Sequence, residues 1–277
     1  MNMSKIGCHV SIAGGIVNAP QRALDLGCEV FQIFSRSPQG GPAPVITKEI
    51  AEQFKSEMKK CGQENCYIHT PYYINFASAN PDIRKSTPKI VREELERGTL
   101  IGAKYIMTHL GSSKDFSREE ALDMVAKGVG EVMKGYKGTT QFLLEISAGA
   151  GNVIGDTFEE LAYILKENPK DVGVCIDTAH MFASGYDLKT EKGFKETMKK
   201  IKETVGKERI KLIHANDSQI ELGGHKDRHE HIGEGFIGKD VFGRLMAEFS
   251  DLDFILETEH DKVKEDILTL KHIRNHE

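Results

Sequence analysis

Eight short stretches of nearly continuous apolar residues recur along the chain. Their lengths and their Val, Ile and Phe content favour β-strands, and their near-continuous apolar character is typical of strands covered on both faces. The predicted strands span residues 6–11, 30–35, 66–70, 104–110, 141–146, 172–178, 210–217 and 254–259. Strands of this kind belong to parallel sheets, in which helices connect one strand to the next.

The segments between these strands have apolar residues three or four positions apart among Lys and Glu, the pattern of a helix with one buried face. Thr47 or Lys48 is predicted to open one of these helices, with Glu in its first turn, and Ser117 and Thr157, each before a pair of Glu residues, are predicted to cap two others. The clearest predicted helices are 47–61, 87–103, 117–136, 157–168 and a final one at 262–275. Eight strand–helix units with no linker between them predict an α/β fold, a (β/α)8 TIM barrel formed by a single domain over residues 1–277. A doubly wound open sheet is the alternative.

The composition is that of a soluble globular enzyme, since 39% of the 277 residues are hydrophobic and 29% are charged. No stretch approaches the roughly 18 consecutive apolar residues of a membrane span, and residues 1–15 lack the apolar run of a signal peptide. We therefore expect a cytoplasmic protein with no membrane contact. The five cysteines form no CxxC pair, so most are expected to be buried thiols. A net charge of -5 argues against a nucleic-acid partner unless bound cations change the local charge.

Polar residues that can bind metals or titrate stand at the ends of seven of the eight predicted strands. The strand-end residues are His9, Ser35, His69, His109, Glu145, Asp177, His214 and Glu257. In a barrel of this type the C-terminal ends of the strands carry the functional residues. Burying several carboxylates together is costly unless cations compensate them. The convergence of these residues therefore indicates a metal site.

Two short motifs lie just beyond strand ends. "DTAH" places Asp177 and His180 three positions apart, so that one turn presents both side chains. "DRH" alternates, so that Asp227 and His229 point the same way from an extended loop. The remaining polar residues of that loop, His225, Lys226, Glu230 and His231, are expected to be solvated.

The combined inventory of five histidines and four carboxylates exceeds what one ion can bind. It suits two or three borderline ions such as zinc, with manganese or iron at carboxylate-rich positions. Four carboxylates facing three divalent ions would leave about two positive charges, which favours an anionic substrate such as a phosphate. Clustered ions fit phosphodiester hydrolysis, in which they activate water and stabilise the leaving oxygen.

With these residues identified, the chain resembles the endonuclease IV family of apurinic/apyrimidinic endonucleases, which cut DNA at abasic sites. The resemblance covers the chain from end to end, in the family's order. The matching segments are "GCHVSIAGG" (7–15), "HTPYYIN" (69–75), "GVCIDTAHMFASGYDL" (173–188), "HANDS" (214–218), "DRHEHIGEG" (227–235) and "LET" (256–258).

The resemblance implies three zinc ions. His69 and His109 would bind the first ion, and Glu145, the catalytic carboxylate, would bridge it to the second. The second ion would be completed by Asp177, His214 and Glu257, and the third would be held by His180, Asp227 and His229. In the implied reaction a hydroxide between the bridged ions attacks the phosphate 5′ to an abasic site in duplex DNA. The third ion stabilises the leaving oxygen, and the product has a 3′-hydroxyl.

Three further residues are candidate DNA contacts: Tyr72 where the family uses a tyrosine, Arg228 between two ligands, and Arg36 as a phosphate contact. The loop around Arg36, "SRSPQGGPAP" (35–44), departs from the family, which has Asn, basic residues and Trp there. This protein has no Trp, so flipping of the abasic nucleotide is less well supported than the metal chemistry.

Two other functions fit part of the pattern. A sugar isomerase or epimerase of the xylose-isomerase-like barrels would use Glu145, Asp177, His214 and Glu257 with one or two metals. It would not require the other five ligands. A non-catalytic metal-binding or DNA-scaffold protein would not require a complete, open ligand set. The compact single domain predicts a monomer.

Overall fold

Eight parallel strands close into a barrel in the computed structural model, which describes residues 3–168 and 171–276. The barrel strands are β1 (Ile6–His9), β2 (Val30–Phe34), β3 (Cys66–His69), β4 (Tyr105–Thr108), β5 (Gln141–Glu145), β6 (Gly173–Asp177), β7 (Ile210–His214) and β10 (Asp253–Leu256). Around the barrel the order is β1-β10-β7-β6-β5-β4-β3-β2, with β2 paired to β1. The predicted TIM barrel is therefore confirmed, and the open sheet is excluded.

Helices between the strands surround the barrel, as parallel connections require. They are α1 (Ala19–Leu26), α2 (Lys48–Lys60), α3 (Pro81–Ile101), α4 (Arg118–Met133), α5 (Phe158–Lys166), α6 (Thr178–Ala183), α7 (Glu191–Glu203), α8 (Asp240–Glu248) and α9 (Val263–His276). None of the helices within the described residues is both long and apolar enough to span a bilayer.

Three helices start where their predicted caps place them, and a fourth helix starts earlier than predicted. The side chains of Thr47, Ser117 and Thr157 each accept a backbone N–H in the first turn of α2, α4 and α5. The predicted start of α3 at residue 87 is wrong, because the helix begins at Pro81. Asn80 caps this earlier start by accepting the Asp82 N–H, and proline is well suited to the first helical position.

The inside of the barrel has two layers. Its lower layer is apolar and fully or largely buried, and consists of Val30, Tyr67, Tyr105, Met107, Leu143, Cys175, Leu212 and Ile255. Because side chains of a strand alternate between its two faces, the residue two positions further along also points inward. In seven of the eight cases this second inward residue is polar. The seven are Gln32, His69, His109, Glu145, Asp177, His214 and Glu257. The upper layer of the barrel is therefore built of metal-binding or hydrogen-bonding side chains.

Beyond β7 the chain forms a two-residue antiparallel ladder of β8 (Asp217–Ser218) and β9 (His229–Glu230). Asp217 of β8 is buried, and its carboxylate accepts backbone N–H groups of Gly233, Ile237 and Gly238. These contacts hold the loop that follows β9 against the barrel. The ladder thereby carries the "DRH" motif over the C-terminal end of the barrel.

Candidate metal centre

All nine predicted metal ligands lie together at the C-terminal end of the barrel. This ligand cluster comprises His69, His109, Glu145, Asp177, His180, His214, Asp227, His229 and Glu257. Six of them line a cavity of about 530 Å³, and the other three, Glu145, Asp177 and His214, are fully buried. Residues from six barrel strands and from the ladder loop therefore meet around one opening.

Eight members of the cluster form three groups whose potential ligand atoms lie within 4.8 Å of one another, and the ninth, Asp227, contacts His180 and His229. The groups are His69, His109 and Glu145; Glu145, Asp177, His214 and Glu257; and Asp177, His180 and His229. Glu145 and Asp177 each belong to two groups. Carboxylates shared in this way are suited to bridging neighbouring cations.

Glu145 occupies the centre of the cluster. Its Oε2 lies 3.1 Å from His69 Nε2, and its Oε1 lies 3.1 Å from His214 Nδ1. The carboxylate therefore contacts members of two groups with its two oxygens.

The "DTAH" turn behaves as predicted. Asp177 ends β6 and caps α6, since its Oδ1 accepts the His180 N–H at 2.8 Å. The cap brings His180 back over the barrel, where its Nε2 lies 3.2 Å from Asp227 Oδ1. His229 Nε2 lies 3.4 Å from the same Asp227 oxygen and 3.6 Å from Asp177 Oδ2. Asp227 and His229 therefore face the same side, as their alternation predicted.

The buried carboxylates of the cluster need positive charge beside them. Burial alone would raise the pKa of Glu257, but His214 beside it lowers that pKa to about 2. Burial alone would lower the pKa of His180, but Asp177 and Asp227 raise it to about 10. Buried carboxylates thus stay ionised only with protonated imidazoles or metal cations beside them.

The hydrogen bonds around the cluster also fit metal ligation. His69 Nδ1 lies 2.6 Å from the Thr70 carbonyl oxygen, and His180 Nδ1 lies 3.0 Å from that of Ile146. An imidazole that donates Nδ1–H to a carbonyl presents the lone pair of Nε2, as metal-bound histidines do. Both Nε2 atoms face carboxylates of the cluster. The donor set therefore fits divalent cations.

Two amide side chains in this region were not predicted. Asn216 donates to Asp177 Oδ2 at 2.7 Å and accepts the Glu257 N–H at 2.8 Å. Gln32 is fully buried and contacts His9, His214 and Glu257. A glutamine within the otherwise apolar "VFQIF" was the available signal for an inward polar side chain.

Of the predicted DNA contacts, Tyr72 and Arg228 lie at the cavity and Arg36 does not. Tyr72 is 67% exposed, its ring packs edge-on against Phe34, and it lines the cavity together with Arg228. Arg36 is instead 5% exposed and forms ion pairs with Glu94 at 2.5 Å and Glu93 at 2.8 Å. Its charge is already compensated by α3, so the structure does not favour the predicted phosphate contact of Arg36.

His231 also differs from expectation. It is 7% exposed rather than solvated, with Nδ1 at 2.7 Å from Asp266 and Nε2 at 3.2 Å from Asp261. Asp266 accepts hydrogen bonds from Thr258 and from the Ile232 backbone as well. This ion pair joins the loop of Asp227 and His229 to α9. Sequence spacing could not reveal it, because Asp266 lies in a distant helix.

We expect His231→Gln to destabilise the protein in a pH-dependent manner. Burial alone would lower the pKa of His231, but the hydrogen bond and charge of Asp266 outweigh it and raise that pKa. Folding thus favours the protonated form. The ion pair therefore contributes fully to the free energy of unfolding below an unfolded-state pKa of about 6.5, and this contribution disappears as pH rises through the folded-state pKa. Urea unfolding at about pH 5.5 should show that the variant has a free energy of unfolding roughly 1–2 kcal/mol below that of the wild type, and this difference should shrink towards pH 9. His272→Gln, at an exposed position on α9, is the control, and a pH-independent loss in His231→Gln would contradict the ion pair.

The fold and the ligand cluster together define a class: TIM barrels that carry a His/carboxylate metal-binding cluster at the C-terminal end of the barrel. Residues 20–275 match the sequence profile of the xylose isomerase-like TIM barrel family. A probable endonuclease 4 of Aquifex aeolicus is 40% identical over 260 residues, which cover 92% of each chain. Endonuclease IV from Thermus thermophilus superposes with a TM-score of 0.86 at 30% identity, over 98% of each chain. The chain belongs to the endonuclease IV family and is a hydrolase.

A D-tagatose 3-epimerase-like protein has the same fold, with a TM-score of 0.75 over 98% of this chain and 97% of that one. Its identity to this chain is 20%, so the likeness concerns the fold alone.

Proposed function

We propose that the protein is a zinc-dependent DNA repair endonuclease that hydrolyses the phosphodiester bond 5′ to abasic sites in duplex DNA and leaves a 3′-hydroxyl. The observation that carries this proposal is the sharing of Glu145 and Asp177 among three adjacent ligand groups. A cluster with two shared carboxylates supports a multinuclear centre, and such centres suit phosphodiester hydrolysis.

Two of the proposed ligand sets follow the groups: His69 and His109 would hold one ion, and Glu145 would join it to a second that Asp177, His214 and Glu257 would complete. The third ion would be held by His180, Asp227 and His229. Asp227 is added to that group because its Oδ1 lies 3.2 Å from His180 Nε2 and 3.4 Å from His229 Nε2, and Asp177 lies within reach as well. When bound, the ions supply Lewis-acid chemistry: they lower the pKa of a coordinated water and offset the charge on the phosphate.

The residues of the chain itself bind and orient the substrate. Tyr72 presents an exposed aromatic ring at the rim, which suits contact with the DNA minor groove. The exposed Arg228 side chain lies at the same opening and is available for a phosphate. Both roles are proposals, as are the cytoplasmic location and the monomeric state expected from the sequence.

We predict close to three ions per chain, mostly zinc, when the purified protein is analysed by plasma mass spectrometry. The physical reason is that nine ligands exceed the capacity of one tetrahedral site. A stoichiometry of one ion would instead favour the isomerase or epimerase, which needs only Glu145, Asp177, His214 and Glu257.

The function itself is tested with a labelled duplex that contains one synthetic abasic site. The expected products are a single cut on the 5′ side of the site and a 3′-hydroxyl end that a DNA polymerase extends. An identical duplex without the lesion is the control. An intact abasic strand after incubation with the fully metallated protein would refute the proposed function, and so would equal cleavage of the two duplexes.

A further inference from the structure

Gln32 occupies an unusual place in the barrel wall. It lies on β2, directly opposite His9 in the strand register, and two residues beyond the inward-facing Val30. Its side chain is fully buried in the polar upper layer. A buried amide must be hydrogen-bonded to be tolerated there.

The amide uses both of its ends. Its Oε1 lies 2.9 Å from His214 Nε2, and its Nε2 lies 2.6 Å from Glu257 Oε1 and 3.1 Å from His9 Nδ1. One carbonyl oxygen and two N–H donors thereby meet three partners, one for each donor and one for the acceptor.

Only one orientation of this amide satisfies Glu257. If the oxygen and nitrogen were exchanged, the amide oxygen would face the Glu257 carboxylate oxygen at 2.6 Å. Two acceptors at this separation repel each other, so Nε2 is the atom that faces Glu257.

The orientation of the amide has a consequence for His214. Because the Gln32 oxygen can only accept, His214 Nε2 must carry the hydrogen of that bond. The other ring nitrogen, Nδ1, lies 3.1 Å from Glu145 and 3.2 Å from Glu257. A neutral imidazole with Nε2–H presents the Nδ1 lone pair to these carboxylates, which is the arrangement that a shared cation requires.

We propose that Gln32 is a positioning residue of the metal centre: it selects the Nδ1-binding tautomer of His214 and orients Glu257 for the same ion. The inference rests on the proposed function and assigns Gln32 to the ion held by Asp177, His214 and Glu257. Partners of this kind typically contribute about 10–100-fold to metal affinity. The effect should be confined to one ion, because the three contacts of Gln32 do not include His69, His109, His180, Asp227 or His229.

The test is Gln32→Met, which preserves the length of the side chain and removes its donors and acceptor. The matched control is Gln63→Met. Gln63, just before β3, is also buried, but it donates to the Cys28 carbonyl, away from the cluster. Metal content is measured after dialysis against a graded series of chelator concentrations. Gln32→Met should lose one ion at roughly 10–100-fold lower chelator concentration than the wild type, and Gln63→Met should not.

A second readout is the visible absorption of the cobalt-substituted protein, which reports coordination geometry. Gln32→Met should change the band of one ion, and Gln63→Met should match the wild type. If Gln32→Met does not fold, Gln32→Asn replaces it, since one methylene less prevents the amide from spanning all three partners. Unchanged affinity and an unchanged spectrum in the folded variant would overturn the proposal.

These measurements do not depend on cleavage, so they separate the two proposals. A wild-type protein that binds cobalt but leaves abasic DNA intact would refute the proposed function, while the variants would still decide the role of Gln32. A wild-type protein that binds no cation would refute both.

Discussion

Replacement of Glu145 by alanine is expected to reduce cleavage of an abasic-site duplex by at least roughly 10³-fold, or about 4 kcal/mol of transition-state stabilisation. Glu145 is fully buried and belongs to two of the three ligand groups. Its loss removes the carboxylate that joins them and leaves His69 and His214 without their shared partner. Single-turnover cleavage, measured together with metal content, tests this expectation.

Two further variants sharpen the experiment. Glu145→Gln retains the size of the side chain but not its charge, and we expect it to be nearly as inactive, because an amide is a poor bridge between cations. Glu96→Ala removes an exposed glutamate that pairs with Arg92 on α3 and should cleave normally. Near-normal activity in a folded Glu145→Ala protein would contradict the proposed mechanism.

The second large effect is expected for His229→Ala, which should lose one of three ions and cleave roughly 10²–10³-fold more slowly. His229 Nε2 lies 3.4 Å from both His180 Nε2 and Asp227 Oδ1. Its removal therefore leaves the proposed third ion with only two of its three proposed ligands, His180 and Asp227. The barrel should stay intact, because His229 lies in the two-residue ladder outside the closed sheet. Circular dichroism, metal analysis and cleavage kinetics measure the three parts of this expectation.

His225→Asn is the matched control in the same loop. His225 is exposed and has a left-handed backbone with φ 52°, which asparagine tolerates better than alanine does. We expect this variant to retain all of its metal and activity. A His229→Ala protein with a full metal complement would show that the third group does not bind an ion.

Much of the fold and of the site was predictable from local patterns. Apolar stretches of strand length alternated with amphipathic helices, and this order predicts a parallel sheet because parallel strands need crossovers. Eight such units favoured a closed barrel over an open sheet. The predicted ligands at strand ends followed from the same regularity. Glu145 and His214 stand two positions beyond inward apolar residues, so the period of a strand places them inside the barrel at its C-terminal end.

The sequence failed where a residue's role depends on a partner from a distant element. Arg36 looked like a free cation in a loop, but Glu94 on α3 pairs with it and buries it. His231 looked like one more polar residue of a charged loop until Asp266 on α9 was placed beside it.

A strand's period determines which way a side chain points, and local order along the chain determines which elements form. Both are properties of neighbouring residues, so the barrel and the inward direction of its polar layer could be inferred from the sequence alone. The partners of Gln32, Arg36 and His231 lie up to 225 residues away along the chain, and burial and hydrogen bonding between them arise only when the barrel closes. Tertiary structure therefore decided which polar residues contact the ligand cluster, which form ion pairs elsewhere in the fold, and which stay exposed at the cavity.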